Sequence, residues 1–320
     1  PHNGILLFDK RRFFIGSAFY VIINLMLYLI YFFIFLFGLI IGSFLNAVIY
    51  RLEKARKNAD ITRDTADIER KNAEKKINLS IITGRSICPR CGHILTWYDL
   101  IPLFSFIWLW GKCRYCRQKI SIQYPLVELA TGLLFALIFN FQFSIFNEFS
   151  MALIFNLLYW FYVVSVLIVI FVYDLKHYII PDKIVLPAIF VSLIWTLSIG
   201  NYLEIGNWKL EIESINPLLA ALGASAFFTS LILLSRGKWM GFGDVKLAFL
   251  MGLILNYPVT ILALFTAFTS GAIIGVGLIL FKKKDLKSQI PFGPFLVGGT
   301  IFSLFFGEII INWYLSILNL

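Results

Sequence analysis

The side chains of this chain whose spacing points most directly to chemistry are its four cysteines, Cys88-Pro-Arg-Cys91 and Cys113-Arg-Tyr-Cys116. Two thiolates three positions apart grip one ion from a tight turn. Two such turns close a tetrahedral four-sulfur site, which suits zinc because that ion has no geometric preference to violate. Pro89, Gly92 and Gly111 supply turn freedom, and Arg90, Lys112 and Arg114 favour the thiolate form. A four-thiolate shell leaves no open position, so the expected ion is structural. Redox-active pairs, or cysteines with no common task, are the competing readings, and His93 is a competing ligand. Four cysteines in 320 residues are too few for a disulfide scaffold.

A second chemistry is carried by carboxylates. Asp174, in FVYDLKHYIIPD, and Asp244, in KWMGFGDVKLAFL, fall at the ends of long apolar runs, where each acidic residue has to explain itself. Two carboxylates brought close cannot both ionise. The ionised partner then serves as base toward water, and the protonated one polarises a peptide carbonyl. Gly241 and Gly243 remove side chains beside Asp244, leaving room for an extended peptide or an irregular helix start. The plainer readings are a topology or cap residue for Asp174 and a helix N-cap for Asp244. Asp182 is the rival first carboxylate, but its place after Pro181 suits an N-cap or first helical turn. Lys176, His177 and Lys246 read as interfacial anchors.

The elements that position these groups follow from composition. The chain is 59% apolar, 17% aromatic and 14% charged, which excludes both an ordinary soluble domain and a disordered chain. Apolar runs lie at Met26–Tyr50, Pro125–Ile145, Ser150–Tyr173, Ile184–Ser198, Pro217–Ser235, Val245–Asn256, Val259–Phe281 and Pro294–Leu318. The sixth is short and must borrow residues from GFGD. In lipid, helices satisfy their own backbone, so the pattern predicts an all-α polytopic membrane protein with about eight transmembrane helices. A small zinc-ribbon-like insertion separates the first two. Of 28 Lys+Arg, 15 fall within residues 51–124 and nine in alternate later connections, while the intervening connections hold one, Lys209. The positive-inside rule then places the cysteine loop and both aspartates at the cytoplasmic face. The net charge of +10 is thereby a topology signal rather than a nucleic-acid footprint.

The expected organisation is an N-terminal extension over 1–25, a first span over 26–50, a cytoplasmic domain over 51–124 and a membrane domain over 125–320. Residues 51–80 mix both charge signs at helical spacing and read as a solvated amphipathic helix. Lys10, Arg11 and Arg12 conflict with the charge map. Two readings stay open: residues 1–25 are an extension upstream of Met26, or residues 13–24 form an interfacial helix. The apolar stretch from Phe13 to Tyr50 looks too long for one helix and barely long enough for two.

Seven blocks now occur in order: GSFLNAVIYRL (Gly42–Leu52), CPRCGHILTWYDLIPLFSF (Cys88–Phe106), GKCRYC (Gly111–Cys116), YPLVELATG (Tyr124–Gly132), YDLKHYIIPD (Tyr173–Asp182), GFGD (Gly241–Asp244) and PFGPFL (Pro291–Leu296). In these the chain resembles the bacterial type IV prepilin peptidases, bifunctional leader peptidases and N-methyltransferases that also serve type II secretion pseudopilins. GxGD alone is weakly specific, whereas seven blocks in family order over residues 26–318 are not.

The resemblance implies a GxGD-type aspartic protease of the bacterial cytoplasmic membrane, with its catalytic pair on Asp174 and Asp244. The implied substrate is a prepilin or pseudopilin whose basic leader is cut after glycine. The new N-terminal amine is then methylated with S-adenosylmethionine as donor. No GxGxxG-like loop marks a donor site. The resemblance places methyl transfer in the first cytoplasmic region, including the GSFLN block, with Gly42, Asn46, Arg51 and Glu128 as candidates. For Gly42 and Asn46 the alternative is helix packing, while Glu128 is an intramembrane carboxylate. The chain departs from the family with Gln123, where arginine is frequent, and Glu53, where proline is frequent. Its retained cysteines argue against the peptidase-only members. The rival functions are a transporter or channel that binds cations on membrane carboxylates and a non-catalytic zinc-ribbon scaffold of pilus assembly.

Overall fold

The computed structural model describes residues 5–64, 85–146, 150–198, 215–238, 240–281 and 290–317. Among the described residues the chain is helical, with two isolated antiparallel bridges, Ile87 with Ile94 and Lys112 with Lys119, and no longer strand. The helices are α1 (Ile5–Asp64), α2 (Phe104–Trp108), α3 (Gln123–Phe146), α4 (Met151–His177), α5 (Asp182–Ser198), α6 (Ile215–Ser235), α7 (Phe242–Leu255), α8 (Val259–Leu280) and α9 (Gly293–Ile317), with a 3-10 turn at Trp97–Leu100.

Eight of these nine helices are the expected apolar segments. Six are long and apolar enough to cross a membrane, within α1, α3, α4, α6, α8 and α9. At 1.5 Å per residue, α5 and α7 reach only about 26 and 21 Å, short of a hydrocarbon core of about 30 Å. α7 does borrow from GFGD, starting at Phe242. The expectation that Phe13–Tyr50 exceeds a single helix is corrected: α1 runs unbroken from Ile5 to Asp64. A helix is not confined to the bilayer's thickness. No proline interrupts this stretch, and its continuation past Tyr50 is rich in Lys, Ala, Arg and Glu, all strong helix formers. The rest of the expected amphipathic helix, residues 65–80, and the lysine-rich residues 282–287 lie outside the described residues, as do the side chains of residues 1–24.

The chain divides into two compact units, Pro1–Phe44 with Arg85–Asn140, and Leu45–Gly84 with Phe141–Leu320. In the first, α1 packs along α3. Tyr31 donates to Asn140 Oδ1 at 2.6 Å and its ring meets Phe139 edge-on at 5.0 Å. In the second, α7 packs against α5, α6, α8 and α9 and buries nine of its fourteen residues. That burial explains how so short a helix persists: its neighbours rather than lipid surround it. α4 packs on α5 and α9, and begins at a Ser150 N-cap whose hydroxyl accepts the Leu153 N–H at 3.1 Å. Inside this unit Asn156 donates to Gln142 Oε1 at 2.8 Å, both side chains buried, so each satisfies a polar group that lipid would not.

Candidate functional site

Asp174 is one turn inside α4, not at its end. The helix continues to His177 and closes at Tyr178, which takes φ 58° and donates its N–H to Asp174 O at 2.8 Å. The Asp174 side chain is buried, the residue being 4% exposed. Asp244 is the third residue of α7. The N-cap is Gly241, so Asp244 is not the cap. It occupies the position that completes a capping pair, its carboxylate accepting the Gly241 N–H while its own N–H reaches Gly241 O at 3.2 Å. The two carboxylates lie close enough to interact electrostatically.

A third element joins them. Gly293 opens α9, and its N–H donates to the Asp174 carboxylate. A β-carbon on Gly293 would fall 2.5 Å from Asp174 Oδ2 and 3.0 Å from Cγ, so only glycine fits here without displacing the acid. The sequence reading did not single out Gly293. Its signal was Pro291-Phe-Gly-Pro294, glycine and proline at a helix start. At Gly243 the space expected for a peptide is taken by Ile180, 3.1 Å from a would-be β-carbon, so this glycine lets the segment between α4 and α5 pack on α7. Gly241 keeps open surroundings, with only the Gly243 nitrogen within 4.0 Å of a β-carbon there.

The two lysines read as anchors are held by acids, and His177 lies beside one of those acids. Lys176 Nζ lies 2.9 Å and His177 Nε2 3.5 Å from Glu53 Oε1. Lys246 Nζ lies 2.6 Å from Asp182 Oδ1 and over the Phe242 ring. Asp182, in the first turn of α5, is therefore engaged with lysine and mostly exposed.

All four cysteines converge, their sulfurs within 4.8 Å of one another. A zinc ion at about 2.3 Å from each sulfur would set them about 3.8 Å apart, within reach of small side-chain rotations, so the donor set fits a metal ion. The two turns are built alike. Cys88 N donates to His93 O and Gly92 N to Cys88 O, both at 2.9 Å. Cys113 N donates to Gln118 O at 2.8 Å and Arg117 N to Cys113 O at 2.9 Å. The residue after each pair has positive φ, 70° at Gly92 and 59° at Arg117. The Gln118 N–H favours the Cys116 thiolate, but desolvation and three neighbouring thiols outweigh it and push the group up to about 11. Such a cluster sheds its protons to a cation rather than to water.

Asp99 latches the two halves of this loop. It accepts the Thr96 hydroxyl at 2.7 Å, Arg114 Nε–H at 2.7 Å and the Tyr115 hydroxyl at 3.2 Å. Desolvation would raise its carboxyl, but these bonds outweigh it and hold Asp99 below the usual range. Arg114 is thus committed to Asp99, and His93 lies against the Tyr115 ring at 3.7 Å rather than among the sulfurs.

Of the methyl-transfer candidates, Gly42 and Glu128 meet. A β-carbon on Gly42 would lie 2.6 Å from Glu128 Cα, which is close helix packing. Glu128 accepts the Leu103 N–H at 2.8 Å and a bond from Ser43. Asn46 and Arg51 are buried farther along α1.

Between α6 and α8 runs an apolar groove of about 650 Å³, from Asn216 and Tyr257 to Phe227 and Phe268. Ring contacts continue from Phe227 to Phe268 at 6.0 Å and from Phe268 to Phe292 at 4.9 Å. Phe292 adjoins Gly293, the partner of Asp174.

Such an arrangement defines an all-helical polytopic membrane protein that combines a carboxylate pair with a four-thiol cluster. Residues 36–142 match the model of the bacterial peptidase A24 N-terminal domain, and residues 161–276 that of the type IV leader peptidase family. The chain is 34% identical over 290 residues to the prepilin leader peptidase/N-methyltransferase of Aeromonas salmonicida (strain A449), covering 88% of this chain and 93% of that protein. It is 31% identical over 282 residues to the protein of that name from Pseudomonas aeruginosa, covering 88% and 92%. For the one from Legionella pneumophila the identity is 31% over 281 residues, covering 88% and 93%. No solved structure matches the chain. The chain belongs to the prepilin leader peptidase/N-methyltransferase family.

Proposed function

We propose that the chain is a membrane-embedded aspartic endopeptidase that removes the basic leader of type IV prepilins and type II secretion pseudopilins. The cut falls after glycine at the cytoplasmic face of the bacterial inner membrane, and the same chain N-methylates the residue exposed. The observation that carries this reading is that Asp174 and Asp244 lie within electrostatic reach of each other, each receiving a backbone N–H at a helix start.

The pair shares one proton. One carboxylate takes a proton from water as it attacks the scissile carbonyl, and the other gives its proton to that carbonyl oxygen. Burial of Asp174 and the Gly293 N–H fix the geometry in which this transfer occurs. The groove between α6 and α8, continued by Phe268 and Phe292, gives the substrate's apolar helix a seat leading to the pair. A helix entering there must unwind at the cut, which glycine before the scissile bond makes easier.

Cys88, Cys91, Cys113 and Cys116 hold zinc as a structural ion, which crosslinks two turns and supplies no reacting group. S-adenosylmethionine, when bound, supplies the methyl group. Gly42, Asn46, Arg51 and Glu128 belong to the region that serves this second activity. In this reading residues 26–50 and 125–320 are the membrane parts, 51–124 the cytoplasmic domain, and 1–25 an extension. The test is substitution of the pair. Asp174→Asn or Asp244→Asn abolishes leader removal while methylation of pilin already processed continues. An Asp244→Asn variant that still cleaves overturns the assignment, whereas a non-catalytic scaffold predicts that the purified wild type cleaves nothing and that both substitutions are silent for leader removal in cells.

A further inference from the structure

The loop that carries the thiol cluster also carries an apolar surface with no described residue of its own unit folded against it. Trp97, Ile107, Trp108 and Trp110 are 78%, 71%, 69% and 88% exposed. Neither the 3-10 turn at Trp97–Leu100 nor α2 buries a single residue. Phe104, Ile107 and Trp108 stand at i, i+3 and i+4, so they share one face of α2, and the rings of Phe104 and Trp108 stack at 5.8 Å. Scattered apolar residues on a surface need no explanation, whereas a contiguous patch of large aromatics does.

Two observations say what covers it. The first is depth. Leu103, the residue before α2, donates its N–H to Glu128 at 2.8 Å, and Glu128 lies in the second turn of the membrane helix α3. The patch is therefore tied to the level at which α3 enters the bilayer. The second is charge. Across residues 85–122 the loop has Arg85, Arg90, Lys112, Arg114, Arg117 and Lys119 against the single acid Asp99, which is paired with Arg114. The other five cations are exposed. The loop stays net cationic even with the two negative charges of a loaded four-thiolate zinc centre. Tryptophan is the residue most suited to the headgroup layer, apolar in its rings and polar at its N–H, and cations beside it are drawn to anionic lipid.

We propose that the segment Trp97–Trp110 is an interfacial anchor. Its aromatic face lies in the headgroup layer of the bilayer, and the surrounding Lys and Arg side chains select anionic lipid. The anchor holds the thiol centre flat against the membrane instead of leaving it on a free loop. This rests on the membrane reading alone and stands whether or not the chain cleaves prepilins.

The test uses the full chain in bilayer discs made with brominated phosphatidylcholine and phosphatidylglycerol. Wild type is compared with the triple variant Trp97→Phe, Trp108→Phe, Trp110→Phe, which keeps the apolar surface and removes only these indoles from the eight in the chain. The difference emission isolates the three tryptophans. The expected signal is blue-shifted, loses most of its intensity to the brominated lipid, and responds little to aqueous acrylamide. Quenching should weaken when phosphatidylglycerol is replaced by phosphatidylcholine. Tryptophans open to acrylamide and untouched by bromine would overturn the proposal. Shielding from both quenchers would also overturn it, showing a protein surface as the occupant. Quenching that ignores the anionic lipid would remove the role given to the cations. As a second readout, hydrogen exchange of the wild-type segment 104–108 should slow on transfer from detergent to anionic discs, and unchanged exchange counts against the anchor.

Discussion

Gly293→Ala isolates the contact on which the carboxylate geometry depends. The added methyl would begin 2.5 Å from Asp174 Oδ2, 3.0 Å from its Cγ and 3.4 Å from its Cβ, whereas ordinary contact starts near 3.4 Å. Either the carboxylate or the start of α9 has to move by about 1 Å, because optimal carbon contacts are about 3.5–4.0 Å. The displaced atom belongs to one of the two acids proposed to share a proton, and a misplacement of about 1 Å costs on the order of 100-fold in rate. The expected result is a fall of that size in the rate of prepilin cleavage, with the rate of pilin methylation unchanged. Gly298→Ala on the same helix is the control, since a β-carbon there meets nothing within 4 Å and alanine is the better helix former by about 1 kcal/mol. Both variants should retain helical circular dichroism. A folded Gly293→Ala enzyme that cleaves at the wild-type rate would refute the reasoning, because it would mean that the Gly293 contact does not position the acid.

Four further outcomes follow from the geometry. Cys88→Ser should lower bound zinc, measured by elemental analysis, and damage methylation more than cleavage; unchanged metal content would remove the four-thiolate site. Gly92→Ala meets no atom but must hold φ 70°, a strain of about 1 kcal/mol, so zinc should bind roughly fivefold more weakly in competition with a chelator. Glu128→Ala leaves the Leu103 N–H without its acceptor at a cost of about 1–3 kcal/mol, and hydrogen exchange over residues 101–108 should quicken accordingly. Gly223→Trp, at an open position in the groove, should raise KM for full-length prepilin several-fold and leave cleavage of a short leader peptide unaltered; equal effects on both would take the apolar helix out of the groove.

The apolar runs were legible because a bilayer demands long uninterrupted hydrophobic segments, and the cysteine pairs because ligand spacing is local. What escaped was set by contacts between distant segments. Gly293 is marked as a helix start by its neighbours, but only the approach of α9 to α4 makes it the one residue that Asp174 tolerates. Glu128 reads as a lone intramembrane acid until the Leu103 N–H is seen to fill it. Glu53, a departure from the family pattern, gains sense from Lys176 and His177, which no periodicity connects to it. The continuous α1 was misjudged because bilayer thickness limits a span but not the helix that contains it. For α7 the opposite holds, since burial among neighbouring helices permits a length that hydropathy alone would discount.

The account is tested most directly by mass spectrometry of a purified prepilin incubated with the enzyme, with and without S-adenosylmethionine, beside the Asp174→Asn variant. The wild type should yield a chain shortened at the glycine, carrying one added methyl group only when the donor is present, and the variant should return the prepilin intact. A leader removed equally well by the variant would contradict the assignment of hydrolysis to this pair of carboxylates.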